Sequence, residues 1–240
     1  MTKLFGALLG FRCSLCQGPT DQALCRACLA GLPGNSAACP LCALPMEGQT
    51  TDSTLSCGAC QANPPAWRGA RAALRYDFPV DHLVQALKFR RALSAGAALA
   101  QAMLAAPRPA PPDPCWLVPV PLHWTRRQRR GFNQAEELAV QLARATGWPL
   151  APGRLVRRRR TRPQSGLSRA ERQRNLRQAF RWRGPPLEGS NLILVDDVMT
   201  TGTTLAACAR PLRNASWLGV WVAARALGAR PQSASRAQRS

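Results

Sequence analysis

The apolar positions of the chain beyond residue 68 alternate between short continuous runs and stripes of helical spacing. The short runs predict strands at 69–76, 115–121, 153–159, 191–195 and 217–226. Stripes in which apolar residues recur every three or four positions predict helices at 81–90, 94–105, 133–147 and 201–214. Strands that alternate with helices predict an α/β fold, in which a parallel sheet is flanked by helices and ligands bind at the carboxyl ends of the strands.

The first 60 residues follow another pattern, because eight of the ten cysteines lie there. The composition changes within QANPPAW (61–67), where Pro64 and Pro65 disfavour regular structure. We therefore predict three parts of the chain. They are a small cysteine-rich module at 10–62, an α/β domain at 68–228 and a disordered basic tail at 229–240.

The cysteines of the module form four Cys-x-x-Cys pairs. Two such pairs complete the tetrahedral shell of four thiolates that structural zinc prefers, so the module has room for one or two zinc ions. Four pairs without a βαβ context favour metal binding over a redox or disulfide role. We prefer a sequential pairing of the quartets to an interleaved one. The sequential quartets are Cys13, Cys16, Cys25 and Cys28, then Cys39, Cys42, Cys57 and Cys60.

The charge balance of the chain is strongly basic, with 33 Lys and Arg against 12 Asp and Glu and a formal net charge of +21. Such a surface attracts nucleic acid, anionic lipid and phosphorylated small molecules without selecting among them. All the cations except Lys3 and Lys88 are arginines, which suits bidentate phosphate contacts but is equally explained by genome base composition. No stretch approaches the roughly 18 apolar residues that span a bilayer, so we expect a cytoplasmic protein without membrane insertion.

The segment LILVDDVMTTGTTL (192–205) places two neighbouring carboxylates between an apolar strand and a loop of Thr and Gly. The loop runs into a predicted helix and consists of Thr200, Thr201, Gly202, Thr203 and Thr204. Its amides and hydroxyls and the positive end of the helix favour a phosphate dianion, while Gly202 allows the backbone to approach closely. Asp196 and Asp197 would repel that phosphate unless they bind other groups. A ribose diol and Mg²⁺ are groups that carboxylates bind.

This segment resembles the 5-phosphoribosyl-1-pyrophosphate (PRPP) motif of the type I phosphoribosyltransferases. Two further segments and the four cysteine pairs make the chain similar to the ComF/GntX family, the competence protein F group. The segments are VPVPLHWTRRQRRGFNQAEELA (118–139) and PQSGLSRAERQRNLR (163–177). The resemblance implies a type I phosphoribosyltransferase-like sheet that follows a double zinc ribbon.

The resemblance also implies roles for individual residues. Asp196 and Asp197 are expected to be catalytic and to hold the ribose 2′- and 3′-hydroxyls, while residues 200–204 hold the 5′-phosphate. Pyrophosphate and Mg²⁺ are expected beside Pro121 and Leu122, within reach of His123, Arg126 and Arg127. A mobile basic loop at 160–174 is expected to close over the site and exclude water, with contributions from Gln164, Arg169 and Arg172.

Some of these residues have plainer interpretations. His123 is also explained as a loop histidine bonded to backbone, and Asn133 as a helix cap. Trp124 is explained as a cover for its loop as well as a stacking platform for a base. Thr200 departs from the hypoxanthine-guanine salvage enzymes, which carry Asp at the first loop position, and this argues against purine salvage of that kind.

Two functions follow as hypotheses. The first is Mg²⁺-dependent transfer of a phosphoribosyl group from PRPP to an unknown nitrogen nucleophile. The second is a non-catalytic component of DNA uptake, which binds single-stranded DNA and a helicase-like competence protein and keeps a PRPP or phosphate site. The loop supports the first, and the charge and the family's link to competence support the second.

Overall fold

The computed structural model describes residues 12–46, 48, 55–106, 111–122, 131–157 and 179–227. Two short helices lie in the cysteine-rich module, α1 (Arg26–Ala30) and α2 (Gly58–Ala62). The later helices are α3 (Val80–Arg90), α4 (Leu93–Ala105), α5 (Gln134–Thr146) and α6 (Thr203–Ala209), which continues into a 3₁₀ turn at Arg210–Leu212. The strands are β1 (Gly69–Arg75), β2 (Trp116–Pro119), β3 (Leu155–Arg157), β4 (Phe180–Trp182), β5 (Asn191–Met199) and β6 (Trp217–Arg225).

The main sheet contains four parallel strands in the order β1-β6-β5-β2. The two central strands are the most apolar, because both of their faces are covered, and this is the pattern expected of a buried parallel sheet. The predicted α/β fold, with a parallel sheet flanked by helices behind a cysteine-rich module, is therefore confirmed.

Each face of the sheet packs against a separate set of helices. On one face, α3, α4 and α5 bury Leu87, Leu99 and Leu138 against Ile193 and Val195 of β5. On the other face, α6 and the 3₁₀ turn bury residues against Leu194, Val220 and Val222. Side chains alternate along β5, so its two carboxylates also point to opposite faces.

The predicted strand at 153–159 does not join the parallel series. Within it, β3 pairs antiparallel with β4 in a separate two-stranded sheet, with Leu155 opposite Trp182 and Arg157 opposite Phe180. The sequence analysis did not predict β4, because three residues with an Arg at the centre give almost no periodic signal.

The cysteine-rich module lies along the open edge of β1. Pro33 and Pro40 accept hydrogen bonds from the amides of Arg75 and Ala70, and the amide of Asn35 donates to Ala73. This contact covers an edge strand that would otherwise expose unpaired backbone groups.

The module also contacts α4. The side-chain oxygen of Gln101 accepts a hydrogen bond from the amide of Leu24 at 2.8 Å.

The predicted boundaries at 10–62 and 68–228 remain predictions, and the predicted tail at 229–240 lies outside the described residues. Within the described ranges, no helix has the length and apolarity that crossing a bilayer requires.

Candidate functional site

The acidic pair lies inside β5 rather than after it. The strand continues to Met199, because β6 stays paired with it up to the contact of Met199 with Arg225. The ladder with β2 stops earlier, at Val195, whose carbonyl accepts the amide of Val120 at 2.9 Å. The two carboxylates therefore begin where the pairing of β5 with β2 ends.

Asp197 forms an ion pair with Lys88 in the last turn of α3. The distance from Lys88 Nζ to Asp197 Oδ2 is 2.7 Å, and Asp197 as a residue is only 8% exposed. The other oxygen, Oδ1, accepts the amide of Val198 at 2.8 Å. A buried carboxylate with a cation and a backbone donor is held in one orientation, so Asp197 is a preorganised acceptor.

Asp196 faces the opposite side of the sheet, toward Cys208 of α6. Burial and the neighbouring Asp197 carboxylate raise the pKa of Asp196 to about 8, while the amide of Asp197 and the charge of Lys88 oppose the shift. Below about pH 8, Asp196 is therefore mainly in its protonated form. A carboxyl group that titrates near neutrality is suited to a change of protonation on ligand binding.

The Thr-Gly loop turns directly out of β5 into α6. Gly202 adopts a φ of +71° and caps the helix, and its carbonyl accepts the amide of Ala206 at 2.8 Å. The hydroxyls of Thr201 and Thr203 lie 2.8 Å apart, and Thr200 and Thr201 are exposed. The loop thus presents hydroxyls to solvent beside the acidic pair, from a turn whose backbone requires glycine.

Arg225 at the end of β6 holds the base of this loop, and the sequence analysis did not identify it. Its guanidinium is buried and donates to the carbonyls of Met199 at 3.2 Å, Thr200 at 2.5 Å and Ala226. The Nε of the same residue donates to the carbonyl of Cys42 at 3.0 Å. Burial lowers the pKa of Arg225, but the four carbonyls compensate its charge with hydrogen bonds. In the sequence, the one local sign of this role is that a charged residue, Arg225, ends an otherwise apolar strand pattern.

Trp67 makes a second connection between the module and the loop. Its indole nitrogen donates to the carbonyl of Leu41 at 2.6 Å, and its ring is buried. A Cβ placed on Gly202 would lie 3.8 Å from the ring of Trp67. The backbone at Leu41 and Cys42 is therefore joined to the loop through one aromatic ring and one guanidinium.

The eight cysteines of the module form two clusters, and within each the four sulfur atoms lie within 4.8 Å of one another. The clusters are the sequential quartets, so the interleaved pairing is excluded. The Sγ atoms of Cys16 and Cys25 are 3.8 Å apart, and those of Cys42 and Cys57 are 3.6 Å apart. Tetrahedral zinc with Zn–S bonds of about 2.3 Å requires sulfur atoms about 3.8 Å apart, so both quartets fit the ion.

A buried cysteine sulfur in each quartet accepts a hydrogen bond from a backbone amide. The amide of Cys25 donates to the sulfur of Cys13 at 3.4 Å, and the amide of Cys57 donates to the sulfur of Cys39 at 3.3 Å. Burial alone would raise these pKa values, but the amide donors outweigh it and lower the pKa of Cys13 to about 6 and that of Cys39 to about 7. Cys115 and Cys208 are buried and belong to neither quartet.

The comparisons with known proteins agree with this architecture. The double zinc ribbon domain family matches residues 4–61. The DNA utilization protein YhgH of Salmonella typhimurium is 38% identical over 226 residues, which is 90% of this chain and 97% of that protein. The chain belongs to the ComF/GntX family. Another member, competence protein F of Haemophilus influenzae, is 35% identical over 179 residues, or 71% of this chain and 78% of that protein. Competence protein ComFC of Bacillus subtilis is 41% identical over 96 residues, or 40% of this chain and 37% of that protein.

Several residues to which the ComF/GntX resemblance gives a role lie outside the described residues. On the pyrophosphate side these are His123, Arg126 and Arg127, and in the predicted mobile loop they are Gln164, Arg169 and Arg172. Asn133 is described, and it is a helix cap. Its Oδ1 accepts the amide of Ala135 at 3.2 Å, and its Nδ2 donates to the carbonyl of Val120 at 3.1 Å. Asn133 therefore fixes the start of α5 against the end of β2.

Proposed function

We propose that this ComF-family protein is a cytoplasmic phosphoribosyltransferase, which binds PRPP with Mg²⁺ and transfers the phosphoribosyl group to an unidentified nitrogen nucleophile. The observation that carries the proposal is that the Asp196–Asp197 pair and the Thr-Gly loop lie together at the carboxyl end of β5. The pair and the loop follow one another directly in the chain, so one ligand that carries both a diol and a phosphate could contact both.

The loop is the proposed site of the 5′-phosphate. Its exposed hydroxyls on Thr200 and Thr201, the amides that follow Gly202 and the guanidinium beneath it favour a dianion. Gly202 is required because only glycine adopts its positive φ without strain and leaves the backbone accessible. A phosphate bound here anchors the ligand before any chemistry at C1.

The acidic pair is the proposed site of the ribose diol. Asp197 is ionised and oriented by Lys88, so one of its oxygens is available to accept from a hydroxyl once the ligand competes with the lysine. Asp196 takes part in its ionised form, which the neighbouring positive charge of Mg²⁺ would favour. Oxygen donors of this type suit Mg²⁺, which when bound would neutralise the pyrophosphate as the bond to C1 breaks. The carboxylate charge stabilises the positive charge that develops on the ribose during transfer.

Calorimetric titration with PRPP and Mg²⁺ tests this function. The salt concentration should be high enough to suppress adventitious binding of anions to the arginine surface. We expect saturable binding by the wild type and at least a tenfold loss in Asp197→Asn and in Thr201→Val. Glu188→Gln serves as the matched control, because this exposed carboxylate bonds only to Asn214, away from the loop. Equal binding by Asp197→Asn and the wild type would contradict the proposed site.

A second function is favoured by a different observation. The net charge of +21 suits a polyanion, and relatives that cover nearly the whole chain carry the name DNA utilization protein. Single-stranded DNA is the proposed ligand, and a helicase-like competence protein is the proposed partner. Affinity for an oligothymidylate should then fall steeply with salt and survive Asp197→Asn. If the Asp197 variant loses DNA affinity as well, the two ligands share one site and this separate function is wrong.

A further inference from the structure

A cavity of about 260 Å³ opens at the amino end of the sheet, at the opposite end of the strands from the acidic pair. Three tryptophans and two arginines line it together with backbone of β1. They are Trp148, Trp217, Trp221, Arg68 and Arg71. Pockets for drug-sized ligands usually measure about 300–1,000 Å³, so this tryptophan cavity has the scale of one planar ring system.

Gly69 lines the tryptophan cavity, and the absence of a side chain on Gly219 leaves room for the indole of Trp217 at the cavity wall. Gly69 of β1 lies in register with Gly219 of β6, and Ile193 of β5 flanks Gly219 on its other side. A Cβ on Gly219 would lie 2.3 Å from the ring of Trp217, so the indole lies across the position where a side chain would stand. Trp217 and Trp221 then project from the same face of β6, on either side of Gly219. The sequence WLGVW is therefore what shapes the hollow.

The walls of the tryptophan cavity are aromatic and cationic. The rings of Trp148 and Trp221 are 6.3 Å apart at 59°, and the guanidinium of Arg71 lies 5.7 Å from the centre of the Trp221 ring. The indole nitrogen of Trp148 donates to Asp113 Oδ1 at 2.8 Å, which fixes the orientation of that ring. Arg68 is exposed at the rim. Fixed aromatic faces beside arginines are the combination that binds bases by stacking and their phosphates by charge.

We propose that the tryptophan cavity holds one base of a single strand of DNA, with Arg68 on an adjoining phosphate. The ligand must carry a flat ring to lie against the indoles that line the cavity, and it must be anionic to suit the arginines and the net charge of +21. A duplex keeps its bases inside the stack, so a single strand is the form that can present one. This proposal rests on the DNA-binding function above and is independent of PRPP transfer.

Photochemical cross-linking of the full-length protein tests the position of the base. The probe is an oligothymidylate of about 12 nucleotides, within the site size of folds that bind single strands, with one thymine replaced by 5-iodouracil. We expect the cross-linked peptide to contain Trp217 or Trp148. A cross-link confined to other peptides would overturn the proposal even if the strand binds tightly.

Affinity measurements on two pairs of variants test the energetics. We expect Trp217→Leu to weaken binding of the oligothymidylate at least roughly fivefold, while Trp182→Leu in the separate two-stranded sheet leaves it unchanged. Arg68→Gln should weaken binding and lower the slope of log affinity against log salt by about one, more than Arg181→Gln does. Because Arg68 is exposed, its variant remains informative if the Trp217 variant fails to fold.

The outcomes of these experiments test two hypotheses separately: that the protein binds single-stranded DNA, and that the tryptophan cavity holds one of its bases. If the wild type does not bind the oligothymidylate, the DNA-binding function and the proposed occupant both fail. If the wild type binds but Trp217→Leu and Arg68→Gln bind equally well, the function stands and the tryptophan cavity is not its site. If thymidine monophosphate binds as tightly as the strand, the cavity takes free nucleotides and the proposal of a strand is wrong.

Discussion

Lys88 Nζ lies 2.7 Å from Asp197 Oδ2, which joins the end of α3 to the carboxyl end of β5 across more than 100 residues of sequence. Both side chains are mostly buried, with 22% and 11% of their surfaces exposed. A buried charge that loses its partner is costly, whereas removal of both charges costs much less. The pair therefore predicts a specific pattern of stabilities in a mutant cycle.

We expect Lys88→Met to lower the free energy of unfolding by about 2–4 kcal/mol, since Asp197 is left as an uncompensated charge beside Asp196. The double variant Lys88→Met/Asp197→Asn should recover much of that loss. Urea denaturation followed by circular dichroism measures both values. Losses that simply add in the double variant would mean that the two side chains do not interact in solution.

The pKa of Asp196 predicts how stability depends on pH. This carboxyl holds its proton up to about pH 8 in the folded state, but only up to about 4 in the unfolded chain. The folded state therefore binds more protons between these values, and the free energy of unfolding should fall as the pH rises from about 4 to about 8, by up to about 1.4 kcal/mol per unit.

Asp196→Asn isolates this effect from the other titrating groups. As the pH rises across the same range, the wild type should lose stability relative to the variant. Above that range, the difference between their free energies of unfolding should stay constant. A difference that is constant with pH would show that Asp196 is ionised throughout.

We predict that Gly202 is required for PRPP binding but that the protein still folds when Gly202 is replaced. Gly202→Ala places a side chain at a φ of +71°, which costs about 1–2 kcal/mol of stability. Gly189→Ala introduces a similar strain at a φ of +77°, and nothing lies within 4 Å of its Cβ. We expect both variants to lose similar stability and only Gly202→Ala to lose PRPP affinity, as measured by calorimetry. If Gly202→Ala and Gly189→Ala bind PRPP equally well, the loop is not part of the PRPP site.

The two zinc quartets are predicted to influence the phosphate loop differently. Metal analysis should find two zinc ions in the wild type and one in each of Cys28→Ser and Cys60→Ser. The quartet that contains Cys60 is joined to the loop through Leu41 and Cys42, so its loss should weaken PRPP binding. The other quartet packs toward α4, where Leu24 bonds to Gln101, and its loss should change PRPP affinity less. Equal effects would mean that zinc acts only on the stability of the module.

The sequence predicted those parts of the molecule that carry a local periodic signal. The four strands of the main sheet and the helices between them were predicted because apolar runs of strand length alternate with stripes of helical spacing. The sequential quartets were preferred because of the order of the pairs, and the sulfur positions confirm them. The length of β5 was underestimated, since Asp196 and Asp197 interrupt its apolar run although β6 still pairs with it.

Other parts of the site depend on contacts between distant segments, which leave no local pattern. Lys88 belongs to a helix whose amphipathic stripe explains its apolar residues but says nothing about a partner on β5. Arg225 is one of many arginines in this composition, and its four carbonyl partners come from three separate segments of the chain. Strand β4 and its pairing with β3 are likewise too short to be read from periodicity.

The guanidinium of Arg225 donates to four backbone carbonyls, and this limits which chimeras of such proteins can fold. Because the acceptor at Cys42 is a backbone carbonyl, its position follows the path of the main chain through the second cysteine quartet. A chimera that exchanges ribbon modules between family members must therefore preserve the backbone path at 40–43, even where the surrounding residues differ. Sequence identity at that junction is a poor guide to which exchanges succeed, and the geometry of the second quartet is a better one.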